Sequence, residues 1–507
     1  MNKKGKEVYG YNLKFDVHFT EKEGINWKSQ MKDVMLLVHL VSENEFSIAL
    51  KKIGAKYLSA DRSEQDEILK GKLKSIKAKK DEMYKLHPSE VAPYAIEDVV
   101  LTWDVYKFFI KYAEAQGLVE LWNESNKYLA ITKDMEKEGV KVDIDKLIKN
   151  KAVAVAHRND LKALMFEANG GVEFNPNSVP QLRKVLNTTG STAVKYLEKM
   201  DHPVAKALLE YRKWEKAITS FYNALYEKVD KNDKIHCTLK LNGTITGRLS
   251  CSNPNLQALP KRSDEYKIRE LIIPPNKNYQ IASFDYSQAE LRLLAHYTKD
   301  PFLMNTYLQG LDLHQQTADL VGISRYFAKR VNFGIVYGLG ANGLSEQIGI
   351  PKSEANDILR EYHKKIPGIR QLSSTVQQIA SAKKYIELWT GRRRHFNAVS
   401  PILAKRFGVR MTEVHKALSN LIQGGVSEIM RVKIMEMAEN LKKYKTKMVL
   451  QVHDEILFII HKDETELVIP IIIKIMEDLH FSVPFLIDGK IGDSWGSAKQ
   501  INLEDYR

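Results

Sequence analysis

The chain has 507 residues, 44% of them hydrophobic and 28% charged, a balance that excludes wholesale disorder and fibrous repeats. At roughly 100–200 residues per domain it requires about three or four packed units. Seventy-seven Lys and Arg against 63 Asp and Glu leave a net charge of +14, which favours a polyanionic partner without identifying one. Two cysteines, Cys237 and Cys251, are too few for a disulfide framework and lack zinc-type spacing, so a reducing compartment fits.

The opening MNKKGKEVYGYNLKFDVHF carries lysines with no continuous apolar segment after them, so no secretory leader is expected. The apolar runs at 34–41 and 467–476 are too short to cross a bilayer, and Pro470 and Lys474 interrupt the second; no membrane is expected as a partner. Residues 70–80 hold six lysines in eleven positions and read as a solvated helix or loop, not a dedicated binding patch. From about 90 to 165, apolar residues such as Val105, Phe108, Phe109 and Tyr112 recur at helical spacing. NGG at 169–171, FNPNSVP at 174–180 and the stretch 243–260 are turn-rich breaks where domain edges are expected. Residues 280–284 read as a short strand leading into Asp285, and AELRLLAHY then resumes helical periodicity. Near the end, KMVLQV and EILFII read as a hairpin that turns at His453 and Asp454.

Asp285 and Asp454 each follow an apolar strand, which would hold both rigidly near a sheet edge. Two such carboxylates can share a hard cation such as magnesium beside substrate phosphates. Either one could instead cap a helix or turn, so the reading rests on their company. Arg325, Lys329, Phe333 and Tyr337 recur every four residues in RYFAKRVNFGIVY. Drawn as a helix, that segment keeps all four within one face about 120° wide and roughly 18 Å long. Two cations at one end suit a triphosphate, and an aromatic pair at the other suits a sugar and base. The segment equally suits an amphipathic core helix, and VNFGIVY alone suits a strand. Gly338, Gly340 and Gly343 satisfy G-x-G-x-x-G, with Asp357 and Glu361 near the distance for ribose recognition. A dinucleotide-binding oxidoreductase is therefore a competing reading, but it needs a buried strand ahead of the glycines.

Residues 285–292, DYSQAELR, resemble motif A of the family A DNA polymerases, the bacterial DNA polymerase I type. Arg325-x-x-x-Lys329-x-x-x-Phe333-Gly334-x-x-Tyr337-Gly338 resembles motif B, and Gln451-Val452-His453-Asp454-Glu455 resembles motif C, in the family's order and separations. TGRLS at 246–250, NPNLQALP at 253–260, GLDLH ending at His314, GRRR at 391–394 and the closing GDSWGSAK add to the likeness. It covers nearly the whole chain and is densest from about 242 to 499. The resemblance implies an α/β (α+β) right-hand polymerase with palm, fingers and thumb. It implies two magnesium ions, primer–template DNA and dNTPs as partners, and extension of the primer 3′ end. The implied domains are a truncated, ribonuclease-H-like 3′–5′ exonuclease unit at 1–112, and thumb with connecting helices at 113–247. Palm with motif A at 248–300, fingers with motif B at 301–410 and palm with motif C at 411–507 complete the hand.

The same resemblance implies residue roles. Asp285, Asp454 and the Tyr286 carbonyl would hold the metals, with Glu455 in support. Arg325, Lys329 and His314 would contact phosphates, and Lys329 would protonate the departing pyrophosphate. Gln288 would help close the pocket, while Glu290 and Tyr337 would block a ribose 2′-hydroxyl. Phe333 stands where a tyrosine favours dideoxynucleotides, so discrimination against them is expected. Arg248, Gln423 and His453 would contact the primer end and minor groove.

The chain also departs from the pattern. GYNLKFD, with Asn12 and Asp16, resembles the second motif of the proofreading exonuclease, and Tyr94-x-x-x-Asp98 resembles its third. Only eleven residues precede Asn12, and none is Asp, so the Asp-x-Glu first motif is missing. A two-metal nuclease short of two carboxylates holds its cations poorly. This chain alone is therefore expected not to proofread, the missing half being lost or supplied by a separate polypeptide. No 5′ nuclease domain is expected. His415 and Ser419 stand where the bacterial enzymes usually show Arg and Asn, and Asn342 replaces an aromatic residue, near the template and downstream duplex. A polymerase-like binder without catalysis and a single-subunit RNA polymerase are the contrasting readings. Intact Asp285, Asp454, Lys329 and Glu290 oppose the first; Glu290 and the exonuclease remnant oppose the second.

Overall fold

The computed structural model describes residues 5–59, 64–261, 265–397, 402, 405–406 and 413–507. Its largest sheet is antiparallel and five-stranded, in the order Lys447–Val452, Glu455–His461, Tyr279–Tyr286, Ile487–Gly492 and Lys499–Ile501. The Tyr279–Tyr286 strand lies at its centre, with Ile281, Ala282 and Phe284 buried, as a continuous apolar run on an inner strand requires. Lys447–Val452 and Glu455–His461 form the expected hairpin. Its two-residue turn is made possible by His453, whose φ is 58°. The helix Thr465–Glu477 packs on the Glu455–His461 and Ile487–Gly492 strands, and Ala417–Asn440 packs against it.

Between Ala289 and Lys383 the chain is helical, and its breaks are chemically marked. Asp300 and Asp312 cap the helices Pro301–Leu308 and Leu313–Val321 by accepting backbone N–H bonds. Gly322 and Gly349 close helices in left-handed geometry, with φ of 76° and 73°. RYFAKRVNFGIV forms one helix, Arg325–Val336, capped by the Ser324 hydroxyl. Gly338, Gly340 and Gly343 therefore follow a helix and not a buried strand, which removes the context that the dinucleotide-binding reading requires.

The helical region expected at 90–165 consists of Pro88–Ala115, Val119–Glu138 and Ile144–Ala168. The strand Val140–Val142 interrupts it and pairs with Lys234–Ile235 and Ile272–Ile273. Gly139 ends the preceding helix at φ 65°, and a Cβ there would meet the Ile235 carbonyl oxygen at 2.7 Å. Met165, Phe174, Leu182, Leu197, Leu208 and Tyr211 form a small core of their own, and the turn-rich stretch 169–180 lies within it.

At the N-terminal end, Glu7–Gly10 and Gln30–Asp33 pair in parallel beside Leu13–Lys22, Val34–Val41 and Pro88–Ala115. The apolar run at 34–41 is a buried helix. The lysine-rich run lies on and just beyond the helix Glu64–Ser75, where Lys70 and Lys80 both pair with Asp66 at 2.8 and 2.6 Å. Among the described residues no helix is long and apolar enough to cross a membrane.

Candidate active site

Strand register brings three acids into one row, because Asp285 stands opposite Glu455 on one side and Asp488 on the other. Directly paired residues in an antiparallel sheet share a face, where like charges repel. Asp454 joins them from the hairpin turn: its backbone carbonyl accepts from the Tyr286 N–H at 3.2 Å. Burial, and then the Asp285 charge, push the Asp454 carboxyl up to about 7. Burial also raises Asp285, with Lys261 opposing the shift and Glu455 and Asp488 adding to it. The Lys261 Nζ lies 2.6 Å from Asp285 Oδ2. Asp285 Oδ1 is buried and has no hydrogen-bond partner among the described residues. Glu455 is better provided for, accepting from Trp495 Nε1 at 3.0 Å and pairing with Arg269 at 3.4 Å. The Arg269 guanidinium in turn lies over the Trp495 ring at 3.9 Å.

An orphaned carboxylate oxygen beside a second, repelled carboxylate is a donor set that fits a hard divalent cation. Among the described residues no three or more His, Cys, Asp or Glu side chains gather to hold a metal unaided. Backbone and substrate oxygens would have to complete the shell, as is usual for magnesium.

The Arg325–Val336 helix approaches this row through Glu290. Glu290 is buried, accepts from the Tyr337 hydroxyl at 2.7 Å and pairs with Arg248. Its charge also acts on Asp454. Gln288, at φ 57°, accepts from the Tyr307 hydroxyl at 3.0 Å. Arg325 is held by Asp312 at 2.5–2.8 Å, whereas Lys329 is exposed and carries no ion pair among the described residues. His314 is only 3% exposed and lies 5.7 Å from the Phe333 ring. Burial lowers its pKa to about 4, so the ring is neutral near pH 7. The Tyr362 hydroxyl donates to Asn332 Oδ1 at 3.0 Å, and Asn332 Nδ2 lies 3.1 Å from His314 Nδ1. An amide nitrogen can only donate, so the imidazole proton sits on Nε2.

Arg248 and His453 lie on the same side, since the Arg248 charge acts on His453, whose pKa is lowered first by burial. Gln257, from NPNLQALP, donates to the Gln451 carbonyl at 2.9 Å and ties that loop to the hairpin. Gln423, on Ala417–Asn440, donates to Ser419 at 3.0 Å. His415 lies 3.4 Å from Glu413, and Asn342 is exposed on Ala341–Ile348.

Of the N-terminal candidates, Tyr94 and Asp98 lie together: Asp98 pairs with Lys51, whose ammonium lies over the Tyr94 ring at 5.0 Å. The Asn12 N–H donates to Asp33 at 3.2 Å, and Asp16 lies on Leu13–Lys22. Among the described residues no hydrogen bond or ion pair joins Asn12 or Asp16 to Tyr94 or Asp98.

Sequence reasoning missed Lys261, Arg269, Asp488 and Trp495. GDSWGSAK contains Trp495 and Lys261 directly follows NPNLQALP, so proximity to a motif was the available signal.

A family model described as DNA polymerase family A matches residues 132–497. DNA polymerase I of Synechocystis sp. is 33% identical over 406 residues, 72% of this chain and 41% of that protein. The Bacillus subtilis DNA polymerase I is 33% identical over 416 residues, 76% of this chain and 47% of that one. For the Helicobacter pylori DNA polymerase I the figures are 31% over 494 residues, 93% and 53%. The chain thus spans about half the length of the curated relatives it matches. A solved structure described as the POL domain of Pol1 from M. smegmatis in complex with DNA primer-template and dNTP has a TM-score of 0.83. It covers 97% of this chain and 86% of that one at 23% identity. The likeness gives the fold: mixed helix and sheet in a hand of palm, fingers and thumb.

Proposed function

This chain belongs to DNA polymerase family A, and from that membership we propose that it is a DNA-templated DNA polymerase. It would add deoxynucleotides to a primer 3′ end by nucleotidyl transfer, on primer–template DNA and in the cytoplasm. The observation that carries this reading is the buried Asp285 Oδ1, without a partner among the described residues, beside Asp454.

Asp285, Asp454 and the Tyr286 carbonyl would hold two magnesium ions, which when bound acidify the 3′-hydroxyl and neutralise phosphate charge. Glu455, fixed by Arg269 and Trp495, steadies the strand that presents Asp285. Lys329, free of ion pairs among the described residues, reaches the phosphates and gives a proton to the departing pyrophosphate. Arg325 exchanges Asp312 for phosphate oxygens, and neutral His314 donates from Nε2. Glu290, braced by Arg248 and Tyr337, fills the space of a ribose 2′-hydroxyl, and Gln288 lines the same pocket. Phe333 presents no hydroxyl to a sugar. Arg248, Gln423 and His453 grip the primer end and minor groove without reading sequence. The positive balance serves the DNA backbone, so binding should weaken steeply with salt.

Primer extension with dNTPs and with rNTPs, by wild type and Asp454→Ala, tests the reading. It requires dNTP-only extension that the substitution abolishes; extension by Asp454→Ala, or equal use of rNTPs, would sink it. Within residues 5–112, the engagement of Asp98 by Lys51 supports an absence of proofreading by this chain alone. Magnesium-dependent removal of a mismatched 3′ nucleotide, lost in Asp98→Ala, would overturn that. A separate polypeptide that supplies exonuclease carboxylates is the partner this reading predicts.

A further inference from the structure

We propose that Lys261 is a built-in counter-ion that stands in for a divalent cation at Asp285 and must be displaced before a metal binds there. This rests on the polymerase reading of the carboxylate row and extends it to a residue outside the recognised motifs.

The row needs positive charge, since Glu455, Asp285 and Asp488 stand in direct register and Asp454 adjoins them. That charge is unevenly shared. Glu455 has its own permanent cation, Arg269 at 3.4 Å, and a neutral donor, Trp495 Nε1 at 3.0 Å. Arg269 is fixed in place by stacking on Trp495 and by donating to the Leu259 carbonyl at 3.1–3.2 Å. Asp488 is exposed to solvent. Asp454 forms no ion pair among the described residues. Among the described residues Asp285 has a single cation, Lys261, at 2.6 Å from one of its two oxygens. The same ammonium lies 3.9 Å from Glu455 Oε2, so it sits between two carboxylates.

The contact is also built to open. The Lys261 side chain is 53% exposed, and an ammonium on a four-carbon stem is a mobile point charge, unlike a stacked guanidinium. Lys261, Lys267, Arg269 and Lys490 line a small cavity of about 80 Å³ beside the row, which offers no carboxylate to recapture the ammonium except Glu455 and Glu270. Among the described residues Asp285 Oδ1 stays without a donor, so the lysine satisfies only one of the two oxygens.

The test is Mn²⁺ binding to the full chain without DNA, followed by electron paramagnetic resonance of the free ion, for wild type, Lys261→Met and Lys261→Arg. Removing the charge should tighten Mn²⁺ binding at least about three-fold, while Lys261→Arg stays within about two-fold of wild type. In metal-free buffer Lys261→Met should melt below wild type, and Mn²⁺ should raise its midpoint by more. Equal or weaker Mn²⁺ binding by Lys261→Met overturns the counter-ion role and leaves the metal site standing. Absence of Mn²⁺ binding by all three proteins overturns both.

Discussion

Glu428 is wholly buried in the Ala417–Asn440 helix, and its carboxylate accepts from Thr390, Arg392 and Arg431 at 2.6–2.9 Å. Glu43 is treated in the same way, pairing with Arg394 at 2.8 Å and His395 at 2.9 Å and accepting the His395 N–H at 2.6 Å. Burial alone would raise both groups, yet their cations and donors outweigh it; Glu428 ends below its ordinary value and Glu43 falls to about 2. Asp285 and Asp454 are half-buried beside too little positive charge, and both shift upward. Desolvation raises all four, and most in the two glutamates, so it is the supply of partners that separates a carboxylate used as a fastener from one held open for chemistry.

The largest expected break in this contrast is Asp454→Ala. It should lower single-nucleotide extension by about 10³-fold or more without lowering the thermal midpoint, because it removes a repelled charge. A drop in both activity and melting temperature would place Asp454 among the fasteners. Glu428→Ala should do the reverse, costing about 3–5 kcal/mol by stranding Arg392 and leaving Arg431 with Glu124 alone, read as a lower denaturant midpoint.

Glu43 sharpens the contrast through pH. Its folded pKa of about 2 lies below the unfolded carboxyl near 4.3. Its stabilising contribution is therefore complete above about pH 4.3 and is lost as pH falls towards 2. Wild type should exceed Glu43→Gln by about 3 kcal/mol near neutrality, and the two melting curves should converge only below about pH 2. A gap that persists in acid would contradict this. The smallest effect is Phe333→Tyr, which adds one hydroxyl near the site. It should increase dideoxynucleotide incorporation about five-fold, the worth of one hydrogen bond of roughly 1 kcal/mol; equal incorporation by both forms would remove Phe333 from substrate selection.

Much of this was legible before any coordinates. The hairpin at His453 and Asp454 follows from two β-rich runs separated by a two-residue turn, and the four-residue spacing of Arg325, Lys329, Phe333 and Tyr337 matches the observed helix with Tyr337 at its end. Register was not legible. The row of Glu455, Asp285 and Asp488 depends on how three strands slide against one another, with an irregularity between Met448 and Leu450 in the neighbouring pair, and a one-residue slip would disperse it. Arg325 reads from sequence as a free cation, but the cap residue Asp312, thirteen positions earlier, holds it. Val140–Val142 was hidden because three residues between two long helices show no period of their own, and only Gly139 marks the place. Lys261 and Arg269 were missed for the same reason as the row, since their partners are set by tertiary packing.

The Glu43 contact joins the N-terminal unit to the strand Arg393–His395, and the Asn44 side-chain amide donates to the His395 carbonyl at 3.0 Å. Lys14 makes a second tie by pairing with Glu136 at 2.6 Å. Trimming the first sixty residues would therefore remove the one counter-charge that Arg394 has among the described residues. Whatever catalysis the front of the molecule retains, it acts as a buttress for the rest, and that mechanical duty is reason enough for its persistence.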